Sequence, residues 1–277
     1  MKESERKRSP FQGKVAVITG SGRGIGKAIA VELASRGATV VLNGRNEERL
    51  RKAEAEIRQP GGKVMSVCCD ISTTEGGIFL VDKVIEKYGV IDILINNAGI
   101  SMRGNFADLD PAIFRTVFEA NVFTAANVSI PAIKNLKESK GSLIFISSVS
   151  GIRGLPFQSV YSAAKMSLRA LAESIRIEER GSGLHVGLIH VGYTENDPAK
   201  ETISANGNRI PINPRKGRDV MTQQEVAGAV VRSIEKRKFI TTLSPLGKLT
   251  AVLQPIFPRL VEMALSRNIG KFMRHSH

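Results

Sequence analysis

Residues 19–26 read Thr-Gly-Ser-Gly-Arg-Gly-Ile-Gly, directly after an apolar run and directly before a segment of helical spacing. The pattern is T-G-x-x-x-G-x-G rather than G-x-G-x-x-G, because Ile25 stands where the latter places its third glycine. At a strand–turn–helix junction, glycines let the backbone approach a diphosphate, and the unpaired N–H groups of the helix N-terminus attract it. The stretch therefore predicts a nucleotide-binding turn, with a glycine-rich turn that holds no ligand as the alternative.

Short β-rich runs alternate with longer helical segments along the chain. The runs typical of strands are Lys14–Thr19, Thr39–Asn43, Lys63–Cys69, Ile91–Asn96, Ser142–Ser147 and His185–His190. The segments typical of helices are Gly26–Arg36, Glu47–Arg58, Ile78–Tyr88, Ala112–Leu136 and Ser159–Arg180. Strands that are apolar on both sides are buried on both faces. We therefore predict an α/β fold: a single doubly wound, Rossmann-type parallel sheet of about seven strands, with helices on both faces.

Length, composition and charge define the domain organisation. The chain has 277 residues and a net charge of +14, and 42% of its residues are hydrophobic, which suits one globular domain. We expect a disordered polar extension over 1–11, the dinucleotide-binding and catalytic domain over 12–241, and a basic amphipathic helical extension over 242–277. The irregular stretch 192–221 is the expected substrate lid.

The same composition excludes several classes of protein. Most of the positive charge lies at the two ends of the chain, so we predict no nucleic-acid partner. No apolar run is long enough to cross a bilayer, and the first residues carry no secretory apolar region. The two cysteines, Cys68 and Cys69, are adjacent and suit neither a disulfide framework nor a metal site. A cytoplasmic protein without a metal centre is expected.

The end of the second predicted strand indicates the type of dinucleotide. Proteins that bind NAD place a carboxylate there for the adenosine ribose, whereas this chain has Gly44 followed by Arg45. Arg23 lies in the glycine turn, so two guanidinium groups are available for one phosphate. The pattern favours NADP(H), with Arg45 as a merely solvated charge as the alternative.

A tyrosine and a lysine share one helix face. Tyr161 has Lys165 four residues later, and Ser148 lies at the carboxyl end of the fifth predicted strand, where open α/β sheets bind ligands. A phenol has an ordinary pKa of about 10, and a neighbouring ammonium favours its anion. Tyr161 and Lys165 are therefore candidates for acid–base chemistry, and Ser148 lies where a ligand is expected, with Ser147 and Ser150 as neighbouring alternatives to it.

With these motifs in order, residues 12–240 resemble the short-chain dehydrogenase/reductase family. The resemblance implies that Tyr161 is the acid/base, that Lys165 lowers the phenol pKa and holds the nicotinamide ribose, that Ser148 polarises the substrate oxygen, and that Asn121 holds a proton-relay water. It also implies a homodimer or homotetramer built on the helices that carry Asn121 and Tyr161. The residues expected to bind the cofactor are Gly20, Ser21, Gly22, Arg23, Gly24, Ile25, Gly26, Arg45, Asn46, Asp70, Ile71, Asn97, Ala98, Gly99, Tyr161, Lys165, Gly192 and Thr194.

One segment departs from the family pattern. Members usually carry Pro-Gly after the sixth strand and a threonine four residues beyond that glycine, whereas this chain has Val191-Gly192 and Thr194 only two residues on. Thr194 as a ligand of the nicotinamide carboxamide is therefore an open assignment. His185 and His190 flank the strand and are expected to be packed or hydrogen-bonded rather than catalytic.

The C-terminal extension is the second departure. Apolar residues recur there at helical spacing, with basic residues interleaved, and Pro245, Pro255 and Pro258 divide it into short helices. Its apolar face could dock on the protein or on another subunit, lie on an anionic membrane, or cover the substrate pocket. The sequence leaves these three alternatives open.

The expected activity follows from these residues together. We predict an NADP(H)-dependent oxidoreductase that interconverts a ketone or aldehyde and an alcohol by hydride transfer. The largely apolar loop 151–157 favours a lipophilic substrate. A non-catalytic NADP(H)-binding sensor or scaffold is the alternative.

Overall fold

The computed structural model describes residues 9–197, 200–212, 214, 217 and 220–270. Its strands are β1 (Val15–Ile18), β2 (Thr39–Gly44), β3 (Lys63–Cys68), β4 (Ile93–Asn96), β5 (Met102–Arg103), β6 (Ser142–Ser148), β7 (His185–Val191), β8 (Glu201–Ser204), β9 (Arg209–Pro211) and β10 (Ile240–Thr242). Its helices are α1 (Gly24–Ser35), α2 (Glu47–Arg58), α3 (Thr74–Tyr88), α4 (Pro111–Phe118), α5 (Thr124–Glu138), α6 (Ser159–Glu178), α7 (Gln223–Glu235), α8 (Pro245–Ile256) and α9 (Pro258–Arg267).

The central sheet confirms the predicted architecture. Seven strands lie in the order β10-β7-β6-β4-β1-β2-β3, and every neighbouring pair is parallel. The strand order reverses between β1 and β4, and ligands bind in open α/β sheets at such a switch point, beyond the carboxyl ends of the strands. The glycine turn after β1, the segment after β4 and Ser148 at the end of β6 therefore share one edge of the sheet.

Two apolar layers cover the sheet, one on each face. Alternate strand residues such as Ile18 and Ile95 pack against α1, α2 and α7, whereas their neighbours such as Val17 and Leu94 pack against α3, α5 and α6. This alternation is the two-residue period of a strand buried on both sides. Rigid packing on both faces fixes the carboxyl edge where the functional residues lie.

Element bounds differ from expectation mainly where a helix changes character. The six predicted strands are present, with ends shifted by at most two residues. The single helix predicted over Ala112–Leu136 is wrong in one respect: a π-helical turn, Glu119–Phe123, separates α4 from α5. Asp110 caps α4 and accepts a hydrogen bond from the Ala112 amide at 2.8 Å, with Pro111 in the first turn of the helix.

The lid is not the irregular stretch that the sequence suggested. Within 192–221, β8 pairs with β9 in antiparallel fashion and with β5 in parallel fashion. This small sheet joins the lid to the segment after β4, and its pairing partner lies some hundred residues earlier in the chain, which a local pattern does not show. The lid residues 198–199, 213, 215–216 and 218–219 lie outside the described part of the chain.

The two chain ends also differ from expectation. Residues 1–8 of the predicted N-terminal extension lie outside the described part, but Phe11 is buried in the layer of α1 and α7. At the other end, Pro245 and Pro258 begin α8 and α9, whereas Pro255 lies in the last turn of α8 without ending it. Residues 271–277 are outside the described part.

Candidate active site

The glycine turn joins β1 to α1 and lies against the segment after β4. Gly20 has a φ of +62°, and a Cβ there would come within 2.9 Å of the Ala98 Cα. A Cβ on Gly26 would lie 2.5 Å from the Asn97 Nδ2. Both positions therefore need glycine, the first for its backbone conformation and both for close approach.

Hydrogen bonds fasten this turn to the β4 segment. The Thr19 hydroxyl accepts from the Asn97 amide at 2.9 Å and from the Ala98 amide at 3.0 Å. The Asn97 side-chain amide donates in return to the carbonyls of Thr19 and Gly20 at 2.9 and 3.1 Å. These groups hold the two loops in one fixed arrangement before any ligand binds.

The N-terminus of α1 suits an anion. Arg23 is its N-cap residue but makes no side-chain capping bond, and the first turn carries no acidic residue. The Ser21 hydroxyl is already occupied, since it donates to the Ile18 carbonyl at 2.7 Å and accepts from the Asn43 amide at 3.0 Å. Ile25 packs against the core, so the turn offers backbone N–H groups rather than side chains to a phosphate.

Arginines gather at the end of β2. Arg45 is exposed and lies 3.5 Å from the Asp70 carboxylate, and Arg23 lies 3.9 Å from the carboxylate of Asp197 in the lid. Sequence analysis missed Arg49, whose Cβ lies 3.4 Å from where a Cβ on Gly22 would stand. Its position in the first turn of α2, four residues after Arg45, was the available signal.

The remaining residues at this end are largely structural. Burial raises the pKa of the Asp70 carboxyl, but the hydrogen bonds from Ser72 and the Arg45 charge outweigh it, so the net shift is downward. The Asn46 side chain caps α2 by accepting from the Arg49 amide at 2.8 Å. Ile71 is buried beneath α3. The Asn46 side chain is therefore occupied, and Asp70 keeps a charged carboxylate at this end of the sheet.

Of the three serines near the end of β6, the structure singles out Ser148. The Ser147 hydroxyl is buried and donates to the Lys165 carbonyl at 3.1 Å, beneath α6. Ser150 is also buried and donates to the Gln158 side chain at 3.4 Å. Ser148 is half-buried, and its Oγ accepts from the Ser150 amide at 3.2 Å. It is the serine with access to a substrate.

Tyr161 and Lys165 lie on consecutive turns of α6. The Lys165 Nζ is 5.7 Å from the centroid of the Tyr161 ring and donates to the Ile146 carbonyl at 3.1 Å. Burial, and then the nearby charge of Lys200 in the lid, lower the pKa of Lys165 to about 7. Its protonation state is therefore sensitive to any anion placed beside it.

Asn121 explains the π-helical turn. Its Nδ2 donates to the Val117 carbonyl at 2.8 Å, the group that an α-helix would pair with the Asn121 backbone, and to the Ile100 carbonyl at 2.9 Å. The backbone bond from Thr124 to Glu119 spans five residues accordingly. The buried Asn121 Oδ1 has no partner among the described residues and lies, like the Lys165 Nζ, beside Gly99.

The departure after β7 has a structural counterpart. Val191 retains its N–H and extends β7 by one residue, opposite Ser148. A Cβ on Gly192 would come within 2.6 Å of the Ser244 Cβ at the start of α8, so this glycine serves close packing. Thr194 is buried, bridges Met221 and donates to the Gly192 carbonyl at 3.4 Å.

Other polar groups nearby carry structure. His185 bonds the Ser142 hydroxyl at 3.1 Å and the Lys238 carbonyl at 3.0 Å. His190 is buried beside Thr242, and burial followed by the Arg169 charge lowers its pKa to about 4. Burial also raises the pKa of Cys69 to about 11, so this thiol is not a ready nucleophile. The described residues contain no cluster of side chains suited to a metal.

Comparison with known proteins identifies the family. The model of the short chain dehydrogenase family matches residues 14–207. Over 263 residues the chain is 29% identical to dehydrogenase/reductase SDR family member 7B of Danio rerio, covering 92% of this chain and 85% of that protein. It is 32% identical over 213 residues to the 3beta-hydroxysteroid dehydrogenase of Mediterraneibacter gnavus, covering 76% and 77%. The chain belongs to the short-chain dehydrogenase/reductase family of oxidoreductases.

Solved structures agree with this assignment. A metagenomic short-chain oxidoreductase in complex with NADP superimposes with a TM-score of 0.69 at 28% identity, covering 84% of this chain and 96% of that one. A short-chain dehydrogenase/reductase from Burkholderia phymatum in complex with NAD gives a TM-score of 0.79 at 24% identity, covering 90% and 95%. The second likeness shows the fold alone. Structures of this kind bind either NAD or NADP.

Proposed function

We propose that this protein is an NADP(H)-dependent oxidoreductase that interconverts a ketone or aldehyde and an alcohol, with Tyr161 as general acid/base. One observation carries the proposal: the Lys165 Nζ lies beside both the Tyr161 ring and, with the Asn121 Oδ1, Gly99, while Ser148 ends β6 at the carboxyl edge of the same sheet. A sensor or scaffold that only binds the nucleotide has no need of this set, and so the catalytic function is favoured.

The proposed chemistry divides the work between side chains. When bound, the nicotinamide supplies or accepts a hydride. In the reductive direction the Ser148 hydroxyl would donate a hydrogen bond to the carbonyl oxygen, and the Tyr161 hydroxyl would transfer its proton to that oxygen. The product would be the alcohol, and the Lys165 ammonium would stabilise the tyrosinate left behind. Tyr161 would regain its proton from a relay water held by Asn121.

Residues along the same edge would hold the cofactor. The backbone of Gly20–Gly26 and the N-terminus of α1 suit the diphosphate, and Asn97, Ala98 and Gly99 form the opposite wall. Asp70 and Ile71 suit the adenine, and Tyr161 and Lys165 the nicotinamide ribose. Gly192 and Thr194 would close the nicotinamide end, with Thr194 kept as a proposal because its hydroxyl already bonds Gly192.

A preference for NADP(H) rests on charge. No carboxylate lies on β2 at the ribose position, whereas Arg23 and Arg45 flank it. Both arginines have carboxylate partners, Asp197 and Asp70, that a phosphate could replace because both contacts are long and solvent reaches them, the Arg45 pair more than the Arg23 pair. Asn46 stays in its capping role and would contribute only through its backbone.

A lipophilic substrate is proposed from the loop that follows Ser148. Residues 151–157 include Ile152, Leu155, Pro156 and Phe157, with Arg153 as their only charged member. The named activity of the Mediterraneibacter gnavus relative, a steroid dehydrogenase, points to the same substrate class. Reduction is the favoured direction where NADPH is abundant.

Assembly and location complete the proposal. The exposed apolar side chains of Phe123 in the π-helical turn, Ile130 on α5 and Met166 on α6 suit a homodimer or homotetramer built on these helices. A cytoplasmic location is proposed from the adjacent cysteines. In the described residues no helix combines the length and apolarity that a membrane span needs. A monomer by light scattering would contradict the assembly proposal.

Calorimetric titration with NADPH and with NADH tests the cofactor, followed by NADPH oxidation against a panel of lipophilic ketones. We expect tighter binding of NADPH and turnover of at least one ketone. Tyr161→Phe should lower kcat by about 10²- to 10⁴-fold while NADPH affinity stays unchanged. Tyr88→Phe, on α3, is the matched control. Near wild-type kcat in Tyr161→Phe would refute the role of Tyr161, and preference for NADH would refute that of the arginines.

A further inference from the structure

The C-terminal helices carry an unusual concentration of exposed apolar side chains. We call the following residues the apolar stripe: Leu246, Leu249, Val252, Ile256, Phe257, Leu260 and Met263. Each is between 48% and 66% exposed. Within α8 they recur every three or four residues, and from Phe257 into α9 every three, so each helix presents one exposed apolar face. An apolar surface of this kind marks an interaction site.

The apolar stripe points away from the body because the opposite side of α8 is already packed. Gly247 is buried, and a Cβ there would lie 2.7 Å from the Val149 Cγ1. Gln254 accepts a hydrogen bond from Arg153 at 3.1 Å. The side of α8 that carries Gly247, Leu253 and Gln254 therefore lies against the protein. The apolar-stripe residues of α8 are exposed on its other side.

The basic residues beside the apolar stripe indicate which kind of partner it binds. Lys248, Arg259 and Arg267 are exposed on the same two helices, and Glu262 is the only acidic residue after position 235. Glu262 itself lies 3.6 Å from Arg153. A two-fold contact between copies would bring two such basic surfaces together, whereas an anionic surface complements them.

We propose that α8 and α9 dock on an anionic phospholipid bilayer, with the apolar stripe in the interfacial layer and the basic residues at the phosphate level. Helices of 12 and 10 residues are about 18 and 15 Å long, too short to span and suited to lying in the plane of the interface. Each buried apolar side chain and each basic residue near the lipid adds to the affinity.

Arg153 joins α8 and α9 to the loop 151–157, which follows Ser148. It lies in the apolar loop after Ser148 and contacts both α8, through Gln254, and α9, through Glu262. A groove of about 570 Å³ lies between that loop, the N-terminal half of α6 and the C-terminal half of α9. Docking therefore holds the loop after Ser148 close to the bilayer, but the docking itself does not depend on the proposed activity.

The chain has no tryptophan, so the fluorescence of one introduced indole reports on the surroundings of that position alone. Leu249→Trp places a single indole on the apolar stripe, and Phe79→Trp places one at an exposed site on α3 as the matched control. Both full-length variants are mixed with vesicles of phosphatidylcholine, with and without phosphatidylserine. We expect a blue shift of the emission only for Leu249→Trp and only with phosphatidylserine, reduced at about 1 M salt, where the screening length is about 3 Å.

Co-sedimentation with the same vesicles measures affinity. Leu249→Asn with Val252→Asn should weaken partitioning by about ten-fold or more, and Lys248→Gln by about five-fold. Ile177→Asn and Lys52→Gln, exposed on α6 and α2, are the matched controls and should leave partitioning unchanged. NADPH binding and circular dichroism confirm that each variant folds.

The outcomes separate cleanly. Binding that needs phosphatidylserine and falls with the apolar-stripe variants supports the proposal. Absence of binding at low salt, or equal binding by Leu249→Asn/Val252→Asn and Ile177→Asn, overturns it. Light scattering that shows an oligomer dissolved by the same double variant, without vesicle binding, also overturns it and assigns the surface to a second copy of the chain.

Discussion

We predict that Lys165 takes up a proton when NADPH binds. The number of protons taken up per NADPH should grow as the pH is raised from 6 to 8. Burial, and then the charge of Lys200, lower the pKa of Lys165 to about 7 in the ligand-free protein. The phosphates of a bound dinucleotide are negatively charged, and they favour the positively charged ammonium form of Lys165. The proposed site therefore couples cofactor binding to protonation of one buried amine.

The size of the effect follows from the two pKa values of Lys165. With a pKa of about 7, the amine is about 90% protonated at pH 6, about half at pH 7 and about one tenth at pH 8. If the complex restores the ordinary pKa of about 10.4, uptake rises from about 0.1 proton per NADPH at pH 6 to about 0.5 at pH 7 and about 0.9 at pH 8. Because the free protein must gain this proton, NADPH affinity falls by up to about ten-fold per pH unit above 7.

Calorimetry in buffers of different ionisation enthalpy counts these protons directly. The 2′-phosphate has a second pKa of about 6, so it contributes little near pH 8. Lys165→Met should abolish the uptake, and Lys52→Met, exposed on α2, should not change it. Since the readout is protons per bound cofactor, weaker binding by the variant does not confuse it. An uptake that is independent of pH, or the same in Lys165→Met, would refute the reasoning.

Two further predictions concern stability. Gly26→Ala puts a Cβ 2.5 Å from the Asn97 Nδ2, and should cost about 1–3 kcal/mol and lower Tm by about 2–4 °C per kcal/mol, whereas Gly154→Ala meets nothing within 4 Å and should melt like the wild type. His190 has a folded pKa of about 4 against an ordinary 6.5, so the unfolded chain binds the proton first and stability falls as pH drops from 6.5 to 4, by about 3 kcal/mol. His190→Asn should flatten this acid limb in urea unfolding measured at successive pH values; an unchanged limb would show that His190 is not its cause.

The parallel sheet could be predicted from the sequence because its information is local. Each strand is a short apolar run between helical segments. Val17 and Ile18 are adjacent and both apolar, which is the pattern of a strand buried on both faces. The glycine turn is equally local, since Gly20 and Gly26 mark backbone positions where a side chain does not fit. Such patterns need no knowledge of distant contacts.

Features that depend on distant pairing could not be predicted in this way. The lid sheet forms because β8 pairs with Met102–Arg103, and a strand of two residues leaves no periodic pattern of its own in the sequence. The break between α4 and α5 depends on Asn121, whose side chain bonds Ile100 as well as the helix itself. A buried asparagine inside an apolar helix was the one signal for it.

The two ends of the site are held by different kinds of contact. At the cofactor end, Thr19 and Asn97 are linked by hydrogen bonds within a closely packed turn, and glycines exclude other arrangements. At the proposed substrate end, Asp197 of the lid forms an ion pair with Arg23 at 3.9 Å. Glu262 of α9 forms an ion pair with Arg153 at 3.6 Å. Solvent-screened pairs of this kind contribute about 0–1 kcal/mol each.

This difference has a functional consequence. A rigid turn presents the same N–H groups to every dinucleotide, so the residues that bind the cofactor can be predicted from a motif. The lid and the C-terminal helices are joined to the body by contacts between segments distant in the sequence, and the shape of the proposed substrate pocket depends on them. The substrate therefore has to be identified by measurement, because no local pattern records how the lid, the Arg153 loop and the C-terminal helices pack together.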